Sequence, residues 1–152
     1  MFNLKPIPSQ QNLKYFFWFL FLKLMVGAIT SGIAYLIDPS SLHNPADNYG
    51  ILFRISLLLI FAPIFETLIN QFLVIEILRK IKIPPGLIIS FSAILFGLTH
   101  HYHIFYMIAT TINGIIYALY YLKLRPQGIL NAILGVAGLH FFTNLVALLS
   151  DL

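Results

Sequence analysis

The chain has 152 residues, of which 59% are hydrophobic and only 9% charged, with a mean hydropathy of +0.89. A soluble domain carries about 25% charged residues to cover itself with solvated groups, so this composition excludes a water-soluble globule and leaves a polytopic membrane protein. Nine Lys and Arg residues in no run or stripe exclude nucleic-acid binding, and the absence of cysteine excludes disulfides, thiolate metal sites and a thiol nucleophile.

A hydrocarbon core about 30 Å thick takes about 20 apolar helical residues. Read with that ruler, the sequence predicts an all-α bundle of about five membrane-spanning helices in a single transmembrane domain, residues 1–152. The first helix is expected from Tyr15 to Ile37. Lys23 interrupts its apolar run and the run continues well past it, so this segment reads as a retained helix and not a cleaved signal. Lys23 lies about 12 Å inside the helix and is expected to snorkel its ammonium to the cytoplasmic surface. Asp38-Pro39-Ser40-Ser41 and Asn44-Pro45 break the chain before a second helix, Ile51 to Leu78. Pro84-Pro85-Gly86 precedes a short third helix, Gly86 to His100, and His101-Tyr102-His103 reads as a solvated loop. A fourth helix is expected from Ile104 to Leu122. After Arg125-Pro126-Gln127-Gly128 a fifth covers Gly128 to Leu149. Trp18 and Tyr102, Tyr117, Tyr120 and Tyr121 read as interfacial-belt and packing residues. The pairs Ala28/Gly32 and Gly135/Gly138 read as close helix contacts.

The loop charges orient the bundle. Lys5 and Lys14, then Arg79, Lys80 and Lys82, then Lys123 and Arg125 fall on one side. Asp38, Asp47, the histidine loop and Asp151 fall on the other. The positive-inside rule makes the N-terminus cytoplasmic and the C-terminus external, with Arg54 near the outer end of the second helix.

Ionisable groups inside the hydrocarbon are functional candidates by default. Glu66 is deep in the second helix, His100 ends the third, and His140 and Asn144 share a face of the fifth, four residues apart. At 1.5 Å per residue, Glu66, His100 and His140 lie about 18, 21 and 20 Å from the cytoplasmic side, one common level reached by three helices. A carboxylate with two imidazoles takes a proton from water, or it holds zinc with an open position. Asn144 is placed to donate to an oxyanion, Asn70 to orient Glu66 from the same helix face, and Asn113 to line the same space. Two other readings use the same groups: polar bonds that hold helices together, and the proton relay of a small transporter, which more often shows paired halves that this chain lacks.

Three stretches carry a family resemblance: Glu66-Thr67-Leu68-Ile69-Asn70-Gln71, Phe96-Gly97-Leu98-Thr99-His100 and His140-Phe141-Phe142-Thr143-Asn144. In order and placement they resemble the CPBP family of intramembrane proteases, which includes CAAX prenyl proteases and Abi-like bacteriocin-processing proteins. The family pattern is Glu-Glu-x-x-x-Arg, Phe-x-x-x-His and His-x-x-x-Asn, and the resemblance covers about residues 51–149. It implies an intramembrane endopeptidase of a bacterial or archaeal cell membrane, acting on a membrane-associated peptide or protein within the lipid bilayer. It makes Glu66 the residue that activates water, helped by His100, with His140 and Asn144 as metal ligands or as stabilisers of the tetrahedral intermediate. The cofactor it implies is zinc or another divalent ion at Glu66, His100 and His140, with a metal-free glutamate mechanism as the alternative. The first motif departs from the pattern, with Thr67 for the second Glu and Gln71 for the Arg. Lost together, these two leave no lone buried charge, and Thr67 and Gln71 are expected to share a hydrogen bond. The same departures favour a non-catalytic scaffold of the same fold.

Overall fold

The computed structural model describes residues 9–43 and 45–150. Lys5, Asn44 and Asp151, used above in the loop and charge reading, lie outside them. The described residues form helices and turns, with no strand among them. Helix α1 spans Ser9–Ile37 and is followed by two 3-10 turns, Pro39–Leu42 and Pro45–Asn48. Helix α2 spans Ile51–Lys80, α3 Pro85–Leu98, α4 Ile104–Leu124 and α5 Ile129–Ser150. Four of these are long and apolar enough to cross a membrane. The fifth, α3, is about 21 Å long, short of the hydrocarbon thickness.

The boundary that matters most is the end of α3. The expected helix ran to His100, whereas the α-helix stops at Leu98. The cause is local competition for one carbonyl. Thr99 Oγ1 donates to Phe96 O at 2.7 Å, and His100 Nδ1 lies 2.8 Å from the same oxygen. The backbone N–H of His100 bonds instead to Gly97 O at 2.9 Å, which tightens the chain into a turn. His100 therefore sits at the inner tip of a short helix and not on the side of a long one.

Helix α2 is continuous but not uniformly α. Its backbone widens into π-helix at Leu57–Phe61 and again at Thr67–Leu73, on either side of Pro63 and Glu66. Proline lacks the N–H that the helix ladder needs and crowds the preceding turn, and π-bulges are a common way to absorb such an interruption. In the second π stretch, the Asn70 carbonyl receives the buried Ser92 hydroxyl of α3 at 2.7 Å.

Helices α3 and α4 pack most closely. A Cβ on Gly114 would stand 2.8 Å from Ala93 Cα, and one on Gly97 would overlap Thr111 Oγ1. These two glycines, and not Gly32, let backbones approach: nothing lies within 4 Å of a Cβ built on Gly32. Gly135 does meet a neighbour, Leu124, and Gly138 barely touches Phe16. The core gathers Ile75, Phe96, Tyr117, Tyr120, Tyr121, Val136 and Leu139. Tyr117 and Tyr121 are fully buried, so they pack the interior and do not belong to an interfacial belt. Outward, Leu13, Phe17, Trp18, Phe21, Met25, Ile29 and Ile33 are all exposed along one face of α1, an arrangement that only lipid satisfies.

Helix α1 is fastened at both ends. Near its start, Asn12 and Gln127 exchange amide hydrogen bonds of 2.6 and 2.7 Å, and Lys123 Nζ lies 4.4 Å from the Tyr15 ring centroid. Just beyond its end, Asp38 meets His103 Nε2 at 3.1 Å. Hydrogen bonds from the Ser40 side chain and backbone, then from His103, hold the Asp38 carboxyl below the usual carboxylate range. His103, expected as a free loop residue, also accepts the Phe105 N–H at the start of α4. On the opposite side, Arg125 forms a bidentate pair with Glu76 at 2.7 and 3.0 Å, and Arg79 reaches the same carboxylate at 3.0 Å. Arg125, one of the basic residues used for orientation, thus also clamps the end of α4 to α2, while Arg79 reaches the shared carboxylate from within α2.

Gly114→Ala is expected to destabilise the bundle by about 1–3 kcal/mol, the usual cost of overpacking, whereas Gly32→Ala is expected to be neutral or mildly stabilising because it only adds helix propensity. Reversible unfolding of the purified protein in mixed micelles measures both.

Candidate active site

Three helices deliver one cluster. The Glu66 carboxylate is carried by α2 between its two π stretches, His100 by the turn after α3, and His140 by the middle of α5. Glu66 Oε2 lies 3.7 Å from His100 Nε2 and 3.8 Å from His140 Nε2. Both separations exceed direct hydrogen-bond length, and Oε2 has no protein hydrogen-bond partner although it is buried. One oxygen thus faces two imidazole nitrogens with its bonding capacity unspent.

The imidazoles are held differently. His100 Nδ1 lies against the Phe96 carbonyl, which only accepts, so Nδ1 donates there and Nε2 is the nitrogen turned toward Glu66. His140 is buried between aromatic rings, with the Tyr117 ring centroid at 4.9 Å and that of Phe96 at 5.9 Å. Its Nδ1 has no protein partner. Packing alone sets its direction, and Tyr117 is fixed in turn by Thr143 at 3.2 Å.

A cavity of about 930 Å³ contains the cluster. Glu66, His100, His140, Asn113 and Asn144 all line it, and the buried Asn113 Oδ1 is without a protein partner. Thr67, Asn70 and Gln71 are buried and are not among its lining residues. Thr67 Oγ1 and both amide atoms of Gln71 lack protein partners, so the hydrogen bond expected between them is not formed. The π geometry explains the change, because residues four apart in an i→i+5 ladder no longer sit above one another as they do in an α-helix.

Among the described residues no group of three or more His, Asp or Glu side chains is placed to hold a metal ion. Ligand atoms about 2.0–2.1 Å from a tetrahedral zinc sit about 3.3 Å apart, so Glu66, His100 and His140 would have to close further to become a ligand set.

The match to known families is decisive for class. Residues 48–146, well over half of the chain, match the family described as type II CAAX prenyl endopeptidase Rce1-like. The chain belongs to this family. It is therefore an integral membrane protein of an intramembrane endopeptidase family, and the CPBP and CAAX protease resemblance read from the motifs stands. No curated protein and no solved structure gives a significant match.

Two features of this Rce1-like chain were not anticipated. Lys23, expected to snorkel outward, turns inward: its Nζ lies 4.8 Å from the Tyr117 ring centroid and it lines the same cavity as Glu66, His100 and His140. Its only sequence signal was a lone cation in an apolar helix. The second feature concerns Asn144, whose Nδ2 donates to the Leu58 carbonyl at 2.8 Å. The reason is in the ladder of α2. The Ala62 N–H bonds to Leu57 O in the π register, so the next donor in that register, for Leu58 O, would be residue 63. That residue is proline and has no N–H. Asn144 supplies the missing hydrogen bond from α5 and ties that helix to α2 at Leu58, eight residues before Glu66.

The consequence is measurable. Pro63→Ala restores a backbone donor, so Asn144→Ala should cost less stability in a Pro63→Ala background than alone, with a coupling of about 0.5–1.5 kcal/mol, the worth of one such bond. Equal costs in both backgrounds would mean that Asn144 does not serve that carbonyl.

Proposed function

We propose that this protein hydrolyses a peptide bond of a membrane-associated peptide or protein, with Glu66 as general base for a water held between Glu66 and His100. The observation that carries the reading is the unpartnered Glu66 Oε2 facing two Nε2 atoms at 3.7 and 3.8 Å inside a lined cavity. A water there donates one hydrogen to Glu66 and the other to the His100 Nε2 lone pair, leaving its own lone pair for the substrate. As Glu66 takes the proton, the oxygen–carbon bond forms and the carbonyl electrons move to the oxygen. His140 Nε2–H, and the second amide hydrogen of Asn144, are the donors nearest that developing charge. Glu66 then returns the proton to the amine nitrogen as the carbon–nitrogen bond breaks. Thr67, Asn70 and Gln71 serve this site by packing α2 and do not touch the reacting atoms. Asn113 lines the cavity wall.

These steps use no metal. Zinc or another divalent ion, if bound, would be held by Glu66, His100 and His140 and would supply Lewis-acid activation of the water. Chelation separates the two routes: the rate is expected to be unchanged, and a loss restored by added zinc would favour the metal-assisted route.

Glu66→Gln keeps size and loses the base, so hydrolysis is expected to fall at least 100-fold, the lower end of general acid–base contributions, with the fold intact. The assay is cleavage of a pool of N-acylated quenched peptides in liposomes. Undiminished turnover by Glu66→Gln would mean that Glu66 is not the base, and the absence of turnover by the wild-type protein would leave it as a non-catalytic scaffold. In the same membranes, we place the N-terminus in the cytoplasm and the C-terminus outside. Reporter fusions at residues 45, 82, 102 and 126 are expected to read out, in, out and in, and a cytoplasmic signal at residue 102 would contradict five spans.

A further inference from the structure

We infer that the site takes its substrate from the external face of the membrane, as a peptide segment that enters at the end of the bundle carrying Asp38 and Asp47 and runs inward to Glu66. The inference rests on the protease reading and on the orientation given above. It starts from where the cavity stops. On each helix, the lining residue nearest the basic end is Lys23 of α1, Glu66 of α2, Phe96 of α3, Tyr117 of α4 or His140 of α5. No lining residue lies beyond these five toward that end, so they form a floor, and the hydrolytic cluster is part of it. Beneath the floor the bundle is filled by the buried side chains of Ile75, Ile88, Tyr121, Val136 and Leu139. The basic end is tied by the Asn12–Gln127 amide pair and by the Glu76–Arg125 ion pair. A separate groove of about 370 Å³ at that end shares no lining residue with the cavity.

In the other direction the cavity continues to the ends of the helices. Ala34 of α1, Arg54 of α2, Tyr102 just before α4 and Ser150 of α5 line it, and Ser41 and Tyr49 stand at its rim. The water that Glu66 activates and the peptide that it attacks therefore share one aqueous path, and that path leads away from the basic end. Lys14, Arg79, Lys80, Lys82, Lys123 and Arg125 all lie on the floor side of the bundle. The mouth carries Asp38 and Asp47, and its one arginine, Arg54, is paired with Asp47 at 2.8 Å. The positive-inside rule holds the basic end in the cytoplasm, so the mouth faces outward. Glu66 follows Arg54 by twelve residues, about 18 Å of helix, which an extended chain covers in about five residues. The substrate class is thus a peptide segment displayed on the external face and unfolded over about that length, because a folded domain is stopped at the rim.

The absence of cysteine from the chain makes the test direct. Ala28→Cys on α1 and Ala109→Cys on α4 each place one thiol on the cavity wall, away from the reacting groups and on different helices, so the result does not hang on one variant's fold. Asn48→Cys and Lys80→Cys, both at exposed positions, mark the mouth end and the basic end. A charged, membrane-impermeant thiol reagent is added to intact bacterial spheroplasts expressing each variant and to inside-out vesicles made from them. Both cavity thiols should react at least 10-fold faster in spheroplasts, as Asn48→Cys does, while Lys80→Cys should react faster in the vesicles. Cavity thiols that follow Lys80→Cys, or that react from neither side, overturn the proposal. So does Lys80→Cys reacting from outside, because the mouth would then face the cytoplasm. The N-acylated quenched peptides added to the same preparations should be cleaved in spheroplasts and not in inside-out vesicles, and the reverse pattern overturns external entry. Labelling reads access alone, so it decides the side of entry whether or not the pool is cleaved; the protease reading fails separately, through absence of cleavage by the wild-type protein in both preparations.

Discussion

A missing hydrogen at Pro63 organises the centre of this molecule. A proline inside a membrane helix frees a carbonyl that no solvent can satisfy, and an unpaired backbone group in hydrocarbon costs several kcal/mol. Helix α2 responds by widening into the π register, and the orphaned Leu58 oxygen is taken by Asn144 from α5. One interaction therefore satisfies the backbone and joins the helix that carries Glu66 to the helix that carries His140. The second π stretch repeats the device toward α3, where Ser92 reaches the Asn70 carbonyl. Backbone irregularity in α2 is thus tied to both helices that bring imidazoles to the carboxylate.

The remaining contacts bring His100 to the same level. Gly97 and Gly114 allow α3 and α4 to approach, and Thr99 and His100 compete for Phe96 O and end α3 early. A shorter helix with a tight tip delivers a side chain into the bundle that a full span would have carried past it. The contact that ends the helix also holds the His100 ring, so the helix end and the geometry of the cluster share one atom.

Much of this was legible in the sequence, for identifiable reasons. Hydropathy marks helices because hydrocarbon tolerates no exposed backbone, and α2, α4 and α5 fall close to their expected bounds. Glu66, His100 and His140 stood out because the bilayer penalises such groups, and a common depth required only the helical rise. What stayed hidden depends on direction. Lys23 has a stem long enough to point either way, and only the placement of Tyr117 and the fastening of α1 decide it. The Asn144 bond required knowing that α2 leaves the α register, which periodicity does not report. The unbonded Thr67 and Gln71 follow from the same change of register, and the Glu76–Arg125 clamp joins residues 49 apart in sequence.

The central claim is that Glu66 and the two imidazoles act as one unit on one water. Groups that act together lose activity non-additively. The most direct measurement is hydrolysis of the N-acylated peptide pool by the double variant Glu66→Gln/His140→Ala beside each single variant. The expected result is a double-variant loss about equal to the larger single loss. Single losses that multiply in the double variant would contradict a shared site.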